Sequence, residues 1–389
     1  MYWMYYVYIL RNHGDTLNTF GDNFRVTTWG ESHGKALGAV IDGCPANLPI
    51  LEEDIQNELN RRRPGYSIFS TPRKEEDMLE ILSGIFEGKT TGTPISGLVF
   101  NKGQKSKDYS KIKDTPRPGH ADLNYFLKYG NYDYRGGGRS SGRTTIGNVI
   151  GGAVAKKLIE FTHNIKIIGY STKIGKINGD FDYYKNPEFF ESDSNIEKLF
   201  EKTENNPLRC PSKNSDEMKD YVLDAMDKKD SVGGIIEIII KGIPQGVGNP
   251  VFNKLEGKLG SAFIGINAVK GFEIGRGFES SDLYGSEMND EYYIDENSIN
   301  EKTNNAGGII GGISTGSPVV LRVSIKPTPS ISKIQDSVNL ISNENEKIEI
   351  GGRHDPIIVP RVIPVLESMA AITVADLMIS GGYINPCRL

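Results

Sequence analysis

Cysteine, histidine and tryptophan are scarce in this chain. Its 389 residues include 3 cysteines, 5 histidines and 2 tryptophans. The cysteines, Cys44, Cys210 and Cys387, are odd in number, far apart and without the spacing of metal ligands. This pattern argues against a disulfide framework and against a metal site, and it predicts a reduced, cytoplasmic protein.

An excess of positive charge is also missing. The formal net charge of -5 and the pI of about 5.7 argue against general nucleic-acid or membrane binding. The apolar run near the N-terminus is shorter than the roughly 20 residues that span a bilayer, and no basic segment precedes it as in a signal peptide. We therefore expect a globular protein with a sizeable core and with neither a nucleic-acid nor a membrane partner.

Strand and helix patterns alternate irregularly and predict a single α+β domain over residues 17–389. Alternating or continuous apolar residues predict strands at "FRVTTWG", "ALGAVIDG", "GGIIEIIIKGI" and "PVVLRVSIKPT". Apolar residues at helical spacing predict helices at "LEEDIQNELNRRRPG", "TTIGNVIGGAVAKKLIEF", "NKLEGKLGSAFIGI" and "PRVIPVLESMAAITVADLMI". The polar stretch 179–231 predicts surface loops and one helix around "DEMKDYVLDAM". Residues 1–16 are expected to be a disordered extension or the product of a mis-called start, with Leu17 as the true first residue.

The stretch Thr115 to Thr145 concentrates unusual chemistry. It holds one histidine, four arginines, five tyrosine or phenylalanine rings and a Gly-Gly-Gly run. One interpretation is an arginine-glycine RNA-binding segment with stacking tyrosines. The other is a site that holds an anion beside a titratable group. The stretch occurs once, lies in an acidic protein and leads directly into an apolar helix, so it favours the second interpretation.

Other segments add potential ligands for anions. A predicted helix ends in Arg61, Arg62 and Arg63. They are either a solvated basic helix end or guanidinium groups that bind carboxylate and phosphate through two hydrogen bonds each. Arg139, Ser140 and Ser141 precede a helix and could add hydroxyl and N–H groups. "SIKPTPSIS" offers Lys326, Thr328 and Ser330, or it is a plain edge turn.

Three of the histidines lie in turns flanked by glycine or arginine: "GESHG", "RPGHAD" and "GGRHDP". Histidine is suited to proton transfer near neutral pH. A neighbouring arginine favours the neutral imidazole until a bound phosphate compensates its charge. The residues alone therefore predict an enzyme for a small molecule with two or more phosphate or carboxylate groups and a histidine acid.

Seven motifs, taken together, resemble the chorismate synthase family, in the same order and over nearly the whole chain from Asn18. They are "NTFGDNFRVTTWGESHGKALG", "RRRPG", "RPGHADLNYFLKYGNYDYRGGGRSSGRTT", "INAVKGFEIGRGF", "NNAGGIIGGISTG", "IKPTPSIS" and "GGRHDP". The resemblance is weaker between residues 165 and 229.

The resemblance implies a 1,4-elimination of phosphate from 5-enolpyruvylshikimate 3-phosphate, which yields chorismate with reduced FMN and no net redox change. It also implies the family fold, a β-α-β sandwich in which long helices pack between antiparallel sheets with internal pseudo-symmetry. A homotetramer is expected.

The same resemblance assigns roles to residues of this sequence. His120 would protonate the departing phosphate and His33 the reduced flavin, while Asp355, Ser32 and Ser141 would relay or tune protons near the flavin. The substrate anions would be held by Arg61, Arg62, Arg63 and Arg139. The FMN ligands would be Arg139, Ser140, Ser141, Asn267, Ala268, Gly311, Lys326, Pro327, Thr328, Pro329, Ser330 and Arg353.

One departure from the family pattern concerns the source of electrons. Ile68 stands where many members have an arginine, which weakens the case for a nicotinamide-nucleotide site. We therefore expect a monofunctional enzyme served by a separate flavin reductase, with NADPH as a cofactor only if the enzyme reduces its own flavin.

Overall fold

The computed structural model of the chain describes residues 18–65, 67–70, 75–102, 113–295, 298–351 and 354–389. The predicted extension 1–16 and Leu17 lie outside the described residues. The helices are, in chain order, α1 (Glu52–Arg62), α2 (Asp122–Tyr129), α3 (Ile146–His163), α4 (Asp193–Glu204), α5 (Ser215–Asp227), α6 (Leu255–Ile264), α7 (Gly285–Met288) and α8 (Val359–Ser380).

The strands of the first half are β1 (Thr19–Phe20), β2 (Arg25–Gly30), β3 (Ala36–Asp42), β4 (Leu79–Ser83), β5 (Ile85–Phe86), β6 (Lys89–Thr90) and β7 (Ile95–Phe100). Those of the second half are β8 (Lys166–Ile174), β9 (Ile177–Asn178), β10 (Gly234–Lys241), β11 (Val269–Ile274), β12 (Tyr292–Asp295), β13 (Ser298–Glu301), β14 (Ile309–Ile310), β15 (Ile313–Ser314), β16 (Val319–Ile325), β17 (Ile334–Asn339) and β18 (Glu344–Glu349).

Two antiparallel sheets enclose the long helices. Within the described residues, the first sheet has the order β1-β2-β3-β7-β4 and the second has the order β11-β16-β10-β8-β9. Helix α3 packs on β2 and β3, α8 packs on β8 and β10, and the two helices pack against each other. This arrangement confirms the predicted sandwich, and each half supplies one sheet and one long helix.

Helix α8 is the centre of the core. It is apolar enough and long enough to cross a membrane, yet every residue of its apolar window is buried inside the protein. A helix that is apolar on all sides belongs in a core of this kind. Helix α3 approaches it closely at Gly152, where an added Cβ would lie 2.1 Å from the Cβ of Ser368. Any side chain at position 152 would therefore force the two helices apart.

Two carboxylates on α8 fasten other segments to the core. One Asp376 oxygen accepts hydrogen bonds from the backbone N–H groups of Asp22, Asn23 and Phe24 at 2.5–3.0 Å. Glu367 accepts from the N–H of Gly169 in β8 at 2.9 Å. These contacts join the segment before β2 and a strand of the second sheet to the same helix.

The predicted helix around "DEMKDYVLDAM" is confirmed as α5, but the prediction that the rest of residues 179–231 forms surface loops is wrong. The segment forms both α4 and α5, and it adds Tyr183, Phe190, Ile196 and Leu199 to a second buried cluster with Tyr170 of β8. The cluster covers the face of the second sheet that α8 does not occupy. Ile196 and Leu199 have helical spacing, but the surrounding charged residues obscure it in the sequence.

Candidate active site

The glycine loop of residues 136–138 lies against the turn that carries Ser32 and His33. All three glycines have positive φ, of 74°, 84° and 52°, a conformation that L side chains rarely adopt. A Cβ on Gly136 would lie 2.8 Å from Cδ2 and Nε2 of His33. The hydroxyl of Ser32 donates to the carbonyl of Gly136 at 3.3 Å. The absence of a side chain at position 136 therefore makes room for the His33 ring.

His120 is held by one contact at each ring nitrogen. Its Nδ1 lies 3.0 Å from the carbonyl oxygen of Pro118, and its Nε2 lies 2.8 Å from the hydroxyl oxygen of Ser330. A carbonyl can only accept, so Nδ1 carries the proton of the neutral ring, and Nε2 accepts from Ser330. The proton that His120 would donate in catalysis is consequently the one added at Nε2.

The surroundings of His120 keep it neutral. Burial, and secondly the positive charge of Arg117, lower its pKa to about 4. The prediction that a neighbouring arginine favours the neutral imidazole is confirmed, but burial lowers the pKa of His120 more than Arg117 does. The guanidinium of Arg117 pairs with the carboxylate of Asp122 through Nε at 2.7 Å and Nη2 at 2.9 Å. The charge beside His120 is thus fixed in position.

Hydrogen bonds to backbone carbonyls connect several predicted FMN ligands to one another and to the loop of His120. The side chain of Asn267 donates to the carbonyl of Ser140 at 2.9 Å, and the N–H of Lys326 donates to the carbonyl of Ala268 at 2.9 Å. The ammonium of Lys326 donates to the carbonyl of Gly119, next to His120, at 2.9 Å. We call residues 32–33, 117–120, 136–142, 267–268 and 326–330 the central site.

The run Lys326 to Ser330 also offers an unused polar atom. Among the described residues, the buried Oγ1 of Thr328 has no hydrogen-bond partner. A buried polar atom without a partner costs free energy. Pro327 and Pro329 stiffen the run on both sides, and Pro329 packs against Gly119. The pKa of Lys326 is lowered by burial and by the charge of Lys270.

Arg62 joins the central site from the end of α1. Its Nε lies 3.2 Å from Thr145 Oγ1, and its Nη2 donates to the carbonyl of Gly142 at 2.7 Å. The hydroxyl of Ser141 accepts from the N–H of Arg143 and begins the short 3-10 helix Gly142–Thr145. Among the described residues, the buried Nη1 of Arg62 makes no hydrogen bond, but it lies 3.6 Å from the carboxylate of Asp77 in a buried ion pair.

Asp355 and Arg361 lie beside Arg62. The carboxylate of Asp355 is 2.5 Å from Nη1 of Arg361 in the first turn of α8. Nε of Arg361 lies 3.4 Å from the carbonyl oxygen of Arg62. Burial, and secondly the charge of Arg361, lower the pKa of Arg62 to about 10. Arg361 therefore links the predicted catalytic carboxylate to the backbone of the predicted substrate arginine.

The other arginines of "RRRPG" lie elsewhere. The Arg61 guanidinium pairs with Glu58, Glu204 and Glu367 at 2.6–2.9 Å and lies over the ring of Phe200. This arrangement does not favour a role for Arg61 in substrate binding, which remains a prediction. Arg63 caps α1 with an exposed side chain.

Arg139 faces the start of the chain. Its guanidinium donates to the carbonyls of Gly30 and Thr28, to the Thr28 hydroxyl and to the Asn18 side chain. It also lines a cavity of about 270 Å³ between β1, β2, α6 and α8. The guanidinium therefore fastens the first strands, and its binding of anions remains a prediction.

One predicted FMN ligand among the described residues, Gly311, is not brought to the central site. Gly311 lies in the turn between β14 and β15, near the beginning of β16, whereas Lys326 follows the end of β16. Seven residues of strand span roughly 20 Å, so Gly311 and Lys326 are at opposite ends of this strand. Arg353 lies outside the described residues.

The structure adds two charged residues that the sequence interpretation did not single out. Arg117 is part of "RPGHAD", so its motif could have identified it. Arg361 follows "GGRHDP" by several residues within a mostly apolar helix, and its being the one basic residue of that helix was the only signal. Of the remaining motif histidines, His354 places Nε2 3.0 Å from the carbonyl oxygen of Ile350, within its own loop.

The chain is similar to known proteins in sequence and in overall fold. The sequence profile of the family described as chorismate synthase matches residues 24–379. A chorismate synthase of Methanococcus maripaludis strain C5 is 94% identical over 373 residues, which are 96% of this chain and 100% of that protein. A chorismate synthase of Methanocaldococcus jannaschii is 68% identical over 96% of this chain and 99% of that protein. A crystal structure of a chorismate synthase superimposes with a TM-score of 0.71 at 33% identity and covers 93% of each chain. These matches favour an enzyme over the RNA-binding alternative.

Proposed function

Because the chain belongs to the chorismate synthase family, we propose that its central site binds reduced FMN together with 5-enolpyruvylshikimate 3-phosphate. The activity of the chain is that of the family, a carbon–oxygen lyase reaction. Phosphate is eliminated in a 1,4 sense from the substrate to give chorismate, which the shikimate pathway supplies to aromatic amino-acid biosynthesis. The enzymes of this family use reduced flavin.

The placement of His120 carries the proposal. Its Nε2 is directed to Ser330, Arg117 lies on one side and the ammonium of Lys326 lies on another. With a pKa of about 4 the ring holds no proton at Nε2 at neutral pH. Raising that pKa to about 7 requires roughly 4 kcal/mol. Two opposite unit charges about 4 Å apart supply this amount at an effective dielectric constant near 20. A bound phosphate can therefore charge the group that then protonates it.

The residues of the central site fit a flavin phosphate or ring. Thr328 contributes a buried hydroxyl that has no hydrogen-bond partner in the described part of the chain, and Lys326 contributes a cation. Ser140, Ser141, Asn267, Ala268 and the run Lys326 to Ser330 would hold the cofactor. Reduced FMN, when bound, lends electron density that helps phosphate to leave and recovers it as the ring proton is lost. The assignments of Arg139, Gly311 and Arg353 as further ligands remain part of the proposal.

The remaining polar residues would handle protons and anions. His33 would hold a proton at Nε2, one of the two ring atoms closest to Gly136, and Asp355 would accept or pass one at its carboxylate. Ser32 and Ser141 would relay or tune protons near the flavin. Arg62 would bind a substrate carboxylate or phosphate through its guanidinium, whose Nη1 makes no hydrogen bond among the described residues and lies 3.6 Å from Asp77, with Arg63, Arg61 and Arg139 as weaker candidates.

The assembly and the electron supply complete the proposal. We propose a cytoplasmic homotetramer that depends on a separate flavin reductase. Ile68, with 72% of its surface exposed, offers no charge to a nicotinamide nucleotide. Light scattering tests the tetramer, and aerobic NADPH with oxidised FMN tests the reductase requirement. Turnover under those conditions without an added reductase would show that the enzyme is bifunctional.

The redox requirement tests the proposed cofactor. Purified protein with substrate and oxidised FMN in air should produce no chorismate. The same sample made anaerobic and photoreduced should produce it. Equal turnover with oxidised FMN would contradict the assigned role of the flavin.

A further inference from the structure

Arg361 and Asp355 form a pair between a loop and a rigid helix. Asp355 lies in the segment that leads into α8. A β-bridge joins Ile357 of that segment to Val232. Arg361 lies in the first turn of α8, where its N–H donates to the carbonyl of Ile358 at 2.9 Å. Both side chains are about 15% exposed, and their charged groups are 2.5 Å apart. The backbone of Asp355 and the base of Arg361 are therefore both fixed.

Arg361 also faces the end of α1. Its Nε lies 3.4 Å from the carbonyl oxygen of Arg62. The last carbonyls of a helix have no partners within the helix, and a cation placed there is favourable. The contact is long and weak alone, but it gives the guanidinium a second point of attachment. Asp355 is thereby set relative to Arg62 as well as to α8.

Two donor atoms of Arg361, Nη1 and Nε, are directed to acceptors of the protein itself. At Arg62, by contrast, the buried Nη1 makes no hydrogen bond among the described residues and lies 3.6 Å from the carboxylate of Asp77. An arginine that binds substrate needs donors directed to the ligand, whereas one that orients a carboxylate needs them directed to that carboxylate. The geometry of Arg361 is of the second kind.

We propose that Arg361 is a positioning residue that acts through Asp355, and that it holds this carboxylate in a single orientation next to Arg62. The inference rests on the proposed function of Asp355. Displacing a reacting group by about 1 Å can cost 10²-fold in rate. Loss of Arg361 therefore lowers kcat and leaves the KM for substrate nearly unchanged.

A double-mutant cycle tests the proposal. Arg361→Gln, Arg361→Lys, Asp355→Asn and the double variant Arg361→Gln/Asp355→Asn are compared with wild type for kcat and KM under anaerobic conditions. Arg361→Gln is expected to lower kcat about 10²-fold, and Arg361→Lys is expected to recover about a tenth or more of the loss. In the Asp355→Asn background, Arg361→Gln should change kcat less than about 2-fold. The matched control is Arg25→Gln, since Arg25 pairs with Asp42 at the same 2.5 Å but is half exposed.

Crystal structures separate this proposal from the proposed function. In wild type the Asp355 carboxylate is expected in one orientation on Arg361, and in Arg361→Gln it is expected in another orientation or in several. An unmoved Asp355 in Arg361→Gln would overturn the proposal even if the enzyme is active. So would additive effects in the cycle, or a rise in KM at constant kcat. If wild type forms no chorismate, the proposed function fails, and the orientation of Asp355 still decides the role of Arg361.

Discussion

Nε2 of His120 lies 2.8 Å from the hydroxyl oxygen of Ser330, which is 210 residues later in the chain. The contact brings the proposed acid to the run proposed to hold the cofactor. His120 therefore responds to both ligands, and its protonation is the most informative quantity in the site.

The pKa of His120 should depend on bound phosphate. In the free enzyme it should be about 4, because burial and Arg117 disfavour the charged ring. Inorganic phosphate or substrate should raise it by more than about one unit, since an anion restores the favourable charge. ¹⁵N NMR of histidine-labelled protein with and without phosphate measures the shift. A pKa near 6.5 in the free enzyme, or no response to phosphate, would contradict this account.

Gly136→Ala should impair catalysis beyond its effect on stability. The added Cβ would meet the His33 ring at 2.8 Å, and the residue has a φ of 74°. Gly130→Ala is the matched control, because its φ is 67° and nothing lies within 4 Å of the added Cβ. Each variant should lose about 1 kcal/mol of stability from the backbone conformation. Only Gly136→Ala should also lose 10-fold or more in kcat. Equal kcat values for the two variants would contradict the placement of the His33 ring against Gly136.

Arg62→Lys should weaken substrate binding although it keeps the charge. A lysine cannot reproduce the planar fork that contacts Gly142 and Thr145 and also places Nη1 3.6 Å from the Asp77 carboxylate. We expect the KM for substrate to rise roughly 10-fold or more, as for the loss of a hydrogen bond to a charged group. Arg388→Ala, which removes an exposed arginine near the C-terminus, should leave the KM unchanged. An unchanged KM in Arg62→Lys would contradict the assigned role.

Glu367→Gln should destabilise the fold. Glu367 is fully buried and pairs with Arg61 and Lys156 at 2.6–2.7 Å, so its removal leaves cations underpaired. Breaking a buried pair in this way costs about 3–5 kcal/mol. Asp216→Asn, which breaks an exposed pair with Lys219, should cost less than about 1 kcal/mol. Urea denaturation of both variants measures the difference, and similar losses would show that the buried cluster is not a structural anchor.

Glu237 should make stability fall as the pH rises. Burial raises its pKa to about 7, although Tyr170 and the N–H of Tyr183 donate to it. The folded pKa lies above the unfolded value of 4.5, so the contribution is complete below pH 4.5 and is lost as the pH rises through 7. Glu237→Gln should gain on the order of 3 kcal/mol relative to wild type between pH 4.5 and 8. Parallel pH dependences of the two proteins would contradict the raised pKa.

Local sequence patterns predicted the elements whose burial is periodic. Ile55 and Leu59 identified α1, and the isoleucine-rich run of residues 235–240, interrupted only by Glu237, identified β10. The direction of the His120 pKa followed from a neighbouring arginine. Long-range pairing was not predictable in the same way. The partners of Arg61 include Glu367, 306 residues away, and no local pattern indicates that this guanidinium is already paired. The position of Gly311 likewise depends on the direction of β16.

An anaerobic assay with photoreduced FMN tests the central claim most directly. Chorismate absorbance and phosphate release are followed together for wild type and His120→Ala. The account predicts equal amounts of both products from wild type, and a loss of about 10²–10⁴-fold in rate for the variant. Phosphate without chorismate, or a variant as fast as wild type, would contradict it.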